Sequence, residues 1–170
     1  QKAGMKTSID VVSESGSRFE RLVRPALRYT DYCVINELET QQTTGVRLRD
    51  EDGTLHPENM KQALLKLREC GVSTWAVIHC PEMGCGLDAD GNYYEAKSLK
   101  LPKGYIRGTT GAGDAFCAGI LYAAETGRTL PEALRIGACA AAASLSQVSA
   151  SDGVGTAEEV LKLYELYRAE

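Results

Sequence analysis

Apolar residues along this chain come in short continuous runs separated by stretches with helical spacing, so strand and helix patterns alternate from end to end. Gln1, Lys2, Ala3 and Gly4 read as a helix tail ended by glycine, and residues 7–12 as the first strand. Ser17 and Glu20 have capping-box spacing and open a helix that Pro25 interrupts. Residues 32–35 predict a buried strand, Glu37–Thr44 a short helix, and Asp52 with Gly53 a turn. Pro57 suits the first turn of a helix over residues 58–70, which carries Leu64, Leu65 and Leu67 and stops at Gly71. A strand follows at 74–79, then a hairpin of 86–88 and 92–96 across Ala89, Asp90 and Gly91, then a short strand at 98–101. Helices are predicted at 113–125, 130–147 and 156–167, the last opened by Thr156 and Glu159. Such alternation predicts an α/β fold in three layers, a mostly parallel sheet flanked by helices, with ligands at the carboxyl ends of the strands. Asn36, His79 and the turn at Gly108 fall at such ends.

With 170 residues and 44% hydrophobic composition, the chain can bury one sizeable core, and no repeat, low-complexity tract or linker divides it. Its net charge of −4, with acids and bases interspersed, leaves no electrostatic footprint for nucleic acid. Arg18, Arg21, Arg24 and Arg28 recur at helical spacing and read as a solvated face. No apolar stretch is long enough to span a bilayer, and nothing resembles a signal peptide. Cysteines at 33, 70, 80, 85, 117 and 139 fall mostly in apolar segments, where they read as reduced, small hydrophobes of a cytoplasmic protein. Cys80, Cys85 and His79 are neighbours in sequence but match no zinc-site spacing.

The stretch Gly108-Thr109-Thr110-Gly111-Ala112-Gly113-Asp114-Ala115-Phe116 carries the chemistry. Glycines before a helix let backbone amides approach an anion, and the positive end of the helix points at the same place. The spacing is that of a phosphate-binding P-loop, but Asp114 stands where the P-loop has Lys. A carboxylate cannot clamp phosphate. At the rim of an anion hole it can accept the proton of a hydroxyl that attacks a phosphoryl group, so Asp114 reads as a general base. The alternative is a first-turn acid that complements the helix dipole.

Thr-Thr-Gly-Ala-Gly-Asp-Ala-Phe at 109–116, followed by Cys117, Ala118 and Gly119, resembles the C-terminal signature of the ribokinase-like (PfkB-type) carbohydrate kinases. The resemblance implies that Asp114 is the catalytic base and that the amides of the Gly111, Ala112, Gly113 and Asp114 turn form the anion hole. Asn36-Glu37-Leu38-Glu39 matches the family's N-x-x-E motif. It implies that Asn36 and Glu39 act on the magnesium and phosphate side of ATP, with Glu39 facing Mg²⁺ through water, as suits a hard ion that keeps its hydration. The same pair also has the spacing of a capping box for a helix from Glu37. The family position matching His79 contacts nucleotide phosphates. Residues 134–155, an alanine-rich helix and then a loop containing Gly153, correspond to the adenine side, although small residues on a helix also serve close packing.

The chain departs from the family pattern in three places. The family's acid before Thr-Thr, which helps to bind a monovalent cation, is Gly108 here, preceded by Arg107, so that cation site lacks its carboxylate. Arg107 either replaces the cation electrostatically or simply ends a strand in solvent. Cys80-Pro81-Glu82-Met83-Gly84 keeps only the second glycine, Gly84, of the Gly-x-x-Gly ATP loop, and Pro81 removes a backbone donor. The resemblance also covers only the C-terminal half of such enzymes, whose sugar-binding residues and lid lie in the other half. The expectation is that residues 1–170 are the nucleotide-binding and catalytic-base part of a single ribokinase-like domain, incomplete at the N-terminus, with room for a homodimer formed through the other half. The implied reaction is ATP- and Mg²⁺-dependent phosphotransfer to a hydroxyl of a sugar or related small molecule. A noncatalytic nucleotide-binding or regulatory module is the rival, favoured by Pro81 and Gly108. A dinucleotide oxidoreductase is disfavoured, because no G-x-G-x-x-G follows a predicted strand.

Overall fold

The computed structural model describes residues 3–12 and 18–169. Gln1, Lys2 and Ser17 lie outside them, so neither the helix tail at the start nor the cap expected at Ser17 is described. The elements are β1 (Ser8–Ile9), α1 (Arg18–Leu27), β2 (Tyr32–Asn36), α2 (Glu37–Thr44), a 3-10 turn (Pro57–Asn59) leading into α3 (Met60–Glu69), β3 (Trp75–His79), β4 (Met83–Leu87), β5 (Tyr93–Lys97), α4 (Ala112–Glu125), α5 (Leu130–Ser144) and α6 (Ala157–Tyr167). One sheet runs in the order β1-β2-β3-β4-β5, and β1, β2 and β3 are parallel. This is the flanked, mostly parallel sheet that the alternation predicts.

The chain divides into two compact units, the first made of Gln1–Cys80 and Cys85–Tyr94, the second of Pro81–Gly84 and Glu95–Glu170. In the first, β2 and β3 are buried over Cys33–Ile35 and Ala76–Ile78, as apolar runs in parallel strands should be. Leu27, Leu48, Met60, Leu64 and Leu67 complete that core, each worth about 1.5–3 kcal/mol relative to an exposed side chain. Asp31, 5% exposed at the entrance to β2, ties the first three strands together. Its Oδ1 accepts Lys6 Nζ at 3.0 Å and Ser73 Oγ at 2.9 Å, and its Oδ2 accepts the Thr7 amide at 2.9 Å. Burial alone would raise the Asp31 pKa, but these donors outweigh it and hold it at about 2.

In the second unit α4 crosses α5 at glycines. A Cβ on Gly119 would lie 2.8 Å from Gly137 Cα, so the two backbones touch. Leu99, Cys139, Ala140, Ala142, Ala143 and Val160 form a core under α6. Burial pushes the Cys139 thiol up to about 11.

Three sequence expectations are corrected. Residues 98–101 form no strand: the Ser98 amide bonds Glu82 O at 3.0 Å, the Lys100 amide bonds Tyr167 O at 2.7 Å, and Leu99 is drawn into the α5–α6 core. α1 continues through Pro25 to Leu27, because the Arg21 carbonyl that loses its partner belongs to an exposed residue where water can replace it. β4 begins at Met83, earlier than 86–88, so Gly84 belongs to a strand rather than to a loop.

Candidate active site

α2 starts directly from the carboxyl end of β2. Asn36 Oδ1 accepts the Glu39 amide at 2.8 Å, and Glu39 Oε2 accepts the Asn36 amide at 3.0 Å. The capping box expected from sequence is therefore formed, and Glu39 is only 3% exposed. His79, half-buried, ends β3 directly opposite Asn36. Asn36, Glu39 and His79 thus gather at the carboxyl ends of two parallel strands, the edge at which α/β sheets receive ligands. Beside them Glu37 Oε1 accepts Arg49 Nε at 2.7 Å, a largely buried ion pair whose charges compensate one another. Sequence reasoning missed Arg49, which lies in an irregular segment with no periodicity to signal it.

Among the described residues, no three His, Cys, Asp or Glu side chains cluster as a metal cage. Mg²⁺ does not require one, since it keeps several waters and takes one or two carboxylates beside phosphate oxygens. A single acid at Glu39 with the amide oxygen of Asn36 fits that water-mediated role and does not fit a dehydrated, all-protein site.

The glycine-rich turn belongs to the second unit. Gly111 is the N-cap of α4 at φ +84°, in the left-handed region that glycine enters without strain, and no side chain caps this helix. The first intrahelical bond runs from the Ala115 amide to Gly111 O at 2.8 Å, and the Ala112 amide reaches Thr109 O only at 3.4 Å. The amides of Gly113 and Asp114 precede that ladder, at the positive end of the helix dipole. Asp114, third in the helix, is exposed. Ala115, Phe116 and Cys117 behind it are buried and fix the first turn.

The segment after α5 packs on this turn. A Cβ on Gly108 would meet Gln147 O at 2.9 Å and Val148 Cα at 3.1 Å, and one on Gly111 would meet Ala150 Cβ at 2.6 Å. The Arg107 amide donates to Leu145 O at 2.9 Å, while its side chain is exposed. An acid at position 108 would therefore displace the 147–148 backbone. Gly153 is set against Ala143 O, with Ser146 Oγ 2.8 Å from where its Cβ would be, so close return onto α5 requires the glycine. Gly84 is likewise explained by packing, because a Cβ there would lie 2.7 Å from Phe116 Cζ.

The pfkB family carbohydrate kinase profile matches residues 1–157. The ribokinase of Arabidopsis thaliana is 28% identical over 162 residues, covering 95% of this chain and 41% of that protein. Its solved structure, complexed with ribose and ATP, superposes with a TM-score of 0.74 at 25% identity, covering 95% of this chain and 48% of that one. A putative ribokinase II of E. coli, in complex with ATP and Mg²⁺, shares the fold with a TM-score of 0.75 at 16% identity, covering 97% of this chain and 50% of that one. The chain spans about half the length of the curated relatives it matches. With the profile matched across nearly the whole sequence and the glycine turn, uncapped helix and exposed acid in place, the chain belongs to the PfkB family of carbohydrate kinases.

Proposed function

We propose that this chain supplies the ATP site and catalytic base of a kinase that phosphorylates a hydroxyl of a sugar or related small molecule. The observation that carries the reading is the N-terminus of α4, where amides ahead of the helix ladder follow a left-handed glycine cap and are joined by the exposed acid Asp114. Asp114 takes the proton of the acceptor hydroxyl as its oxygen bonds the γ-phosphorus. The bond from that phosphorus to the β–γ bridging oxygen breaks, and ADP leaves with the electron pair. The amides of Gly113 and Asp114, with the weakly engaged amide of Ala112, hold the transferring phosphoryl group, and Gly111 sets their direction. Asn36, Glu39 and His79 serve the nucleotide phosphates, and Mg²⁺, when bound, neutralises charge on them. Gly84 and Gly153 shape the site by permitting close packing, the latter in the adenine-side loop. A bound cation beside Gly108 is not part of this reading, because backbone already fills that space. Solved structures of similar proteins contain ATP with ribose or with Mg²⁺, which supports the choice of nucleotide. A cytoplasmic setting belongs to the same proposal, supported by six thiols placed as ordinary packing groups and not as bridges.

The test is phosphate transfer from ATP to a panel of sugars by the intact protein and its Asp114→Asn variant. Transfer that falls at least about 10²-fold in the variant, with ATP still bound, supports a kinase. ATP binding without transfer to any sugar would instead favour the regulatory module.

A further inference from the structure

We propose that Ser144 is a positioning residue for the phosphate-binding turn, acting through Ala150; this rests on reading the α4 N-terminus as the phosphate site. Ser144, in the last turn of α5, is 1% exposed. A serine inside a helix usually turns its hydroxyl to a carbonyl of its own preceding turn. Ser144 Oγ instead donates forward, to Ala150 O at 3.0 Å, in the segment that leaves the helix. Ala150 in turn lies against the cap of α4: a Cβ on Gly111 would stand 2.6 Å from Ala150 Cβ and 2.8 Å from both its Cα and its carbonyl oxygen. Gly111 fixes the first α4 bond through its carbonyl and, at φ +84° and ψ −2°, the direction of the amides that follow. Contact therefore runs from a buried hydroxyl, through one alanine, to the residue that aims the anion hole.

Other ties hold this segment before Ala150 and after it, and Gly108 packs on its 147–148 backbone. Ser146 Oγ donates to Ala143 O at 2.7 Å, Leu145 O accepts the Arg107 amide at 2.9 Å, and Gly153 rests on Ala143 O. Residues 147–150 are exposed, so little burial keeps them on the turn. Among the described residues, the Ser144 hydroxyl is the side chain that bonds Ala150. Loss of it lets Ala150 drift from Gly111 and widens the range of directions open to the Gly113 and Asp114 amides. Stabilisation of a charged transition state depends on donors fixed in advance, so the loss falls on turnover more than on the fold.

The experiment is a double-mutant cycle in the intact protein with ATP and the best acceptor from the sugar panel. Ser144→Ala should lower kcat about tenfold, leave the acceptor KM unchanged, and weaken ATP binding in calorimetry. Ala150→Gly, which removes the methyl from that contact and frees the backbone there, should do the same. The double variant should lose no more than the worse single, because both act on one element. Wild-type kcat in Ser144→Ala, or losses that multiply in the double variant, would overturn the assignment. A loss that vanishes on cooling well below the melting temperature would also overturn it, since that marks a merely structural serine. Asp114→Asn, run beside them, separates the two levels: full turnover there removes the phosphate-site reading itself, whereas an inactive Asn variant with an unaffected Ser144→Ala removes only the present inference.

Discussion

Helices α2 and α4 carry an acid at the same place, the third helical residue, and use it in opposite ways. In α2, Glu39 folds back onto the amide of its N-cap Asn36 and is buried. In α4 the N-cap is Gly111, which offers no side chain, and Asp114 stays in solvent. α5 and α6 follow α2, with Glu132 and Glu159 reaching back at 2.8 Å to Thr129 and Thr156. In each of these boxes the carboxylate takes up the amide of the N-cap residue. With a glycine cap α4 forgoes only about a few tenths of a kcal/mol of capping, and its amides stay available.

The largest effect that separates the two ends is expected from Asp114→Asn. Turnover should fall at least about 10²-fold, while ATP affinity holds or rises because a negative charge near the phosphates is gone. If the comparison is wrong and Asp114 only complements the dipole, the same variant loses up to about 1 kcal/mol of stability and keeps its turnover. Kinetics beside calorimetry distinguish the two.

Asp31 supplies a second contrast with the exposed Asp114, being a buried acid with several donors. Its folded pKa, near 2, lies below the unfolded value, so its contribution is complete above about pH 4 and disappears as the pH falls toward 2. Denaturant unfolding should show a loss of about 2 kcal/mol over that window, absent in Asp31→Asn. An equal acid slope in both proteins would contradict the bonding pattern described here.

Gly111→Ala sharpens the comparison from the cap side. The new Cβ meets Ala150 and adopts a left-handed φ, so a loss of about 1–2 kcal/mol is expected together with weaker ATP binding. A variant of wild-type stability would show that the turn has freedom its packing denies. The smallest expected change is in Glu39→Gln. It should cost about 1 kcal/mol as the box weakens, and it should also raise the Mg²⁺ concentration needed for half-maximal turnover. A lowered melting temperature with unchanged magnesium dependence would leave Glu39 as a cap alone.

What was legible in the sequence is what depends on near neighbours. Capping boxes at Asn36 and Thr156 and the glycine turn before α4 are written within a few residues, and the structure builds each of them. The arginine stripe also reads correctly as a solvated face at Arg21, Arg24 and Arg28. Contacts between distant segments were not legible. Asp31 meets partners 25 and 42 residues away, and nothing in its local sequence marks it as more than a loop acid. Gly84 reads from the family pattern as the second glycine of an ATP loop, whereas its packing reason, the ring of Phe116, lies on α4. Ser144 was hidden in an alanine run that suggested only packing.

The crossing of Gly119 on Gly137 has a consequence for how this region breathes. Two backbones in contact leave no slack for one helix to slide along the other, so amides in the middle of α4 should exchange with solvent only when α4 and α5 open together. The first turn, which lies ahead of the hydrogen-bond ladder, should exchange far sooner. The same helix would then behave as a slow post with a fast tip, and a larger side chain at either glycine would speed exchange along the post while leaving the tip as fast as before.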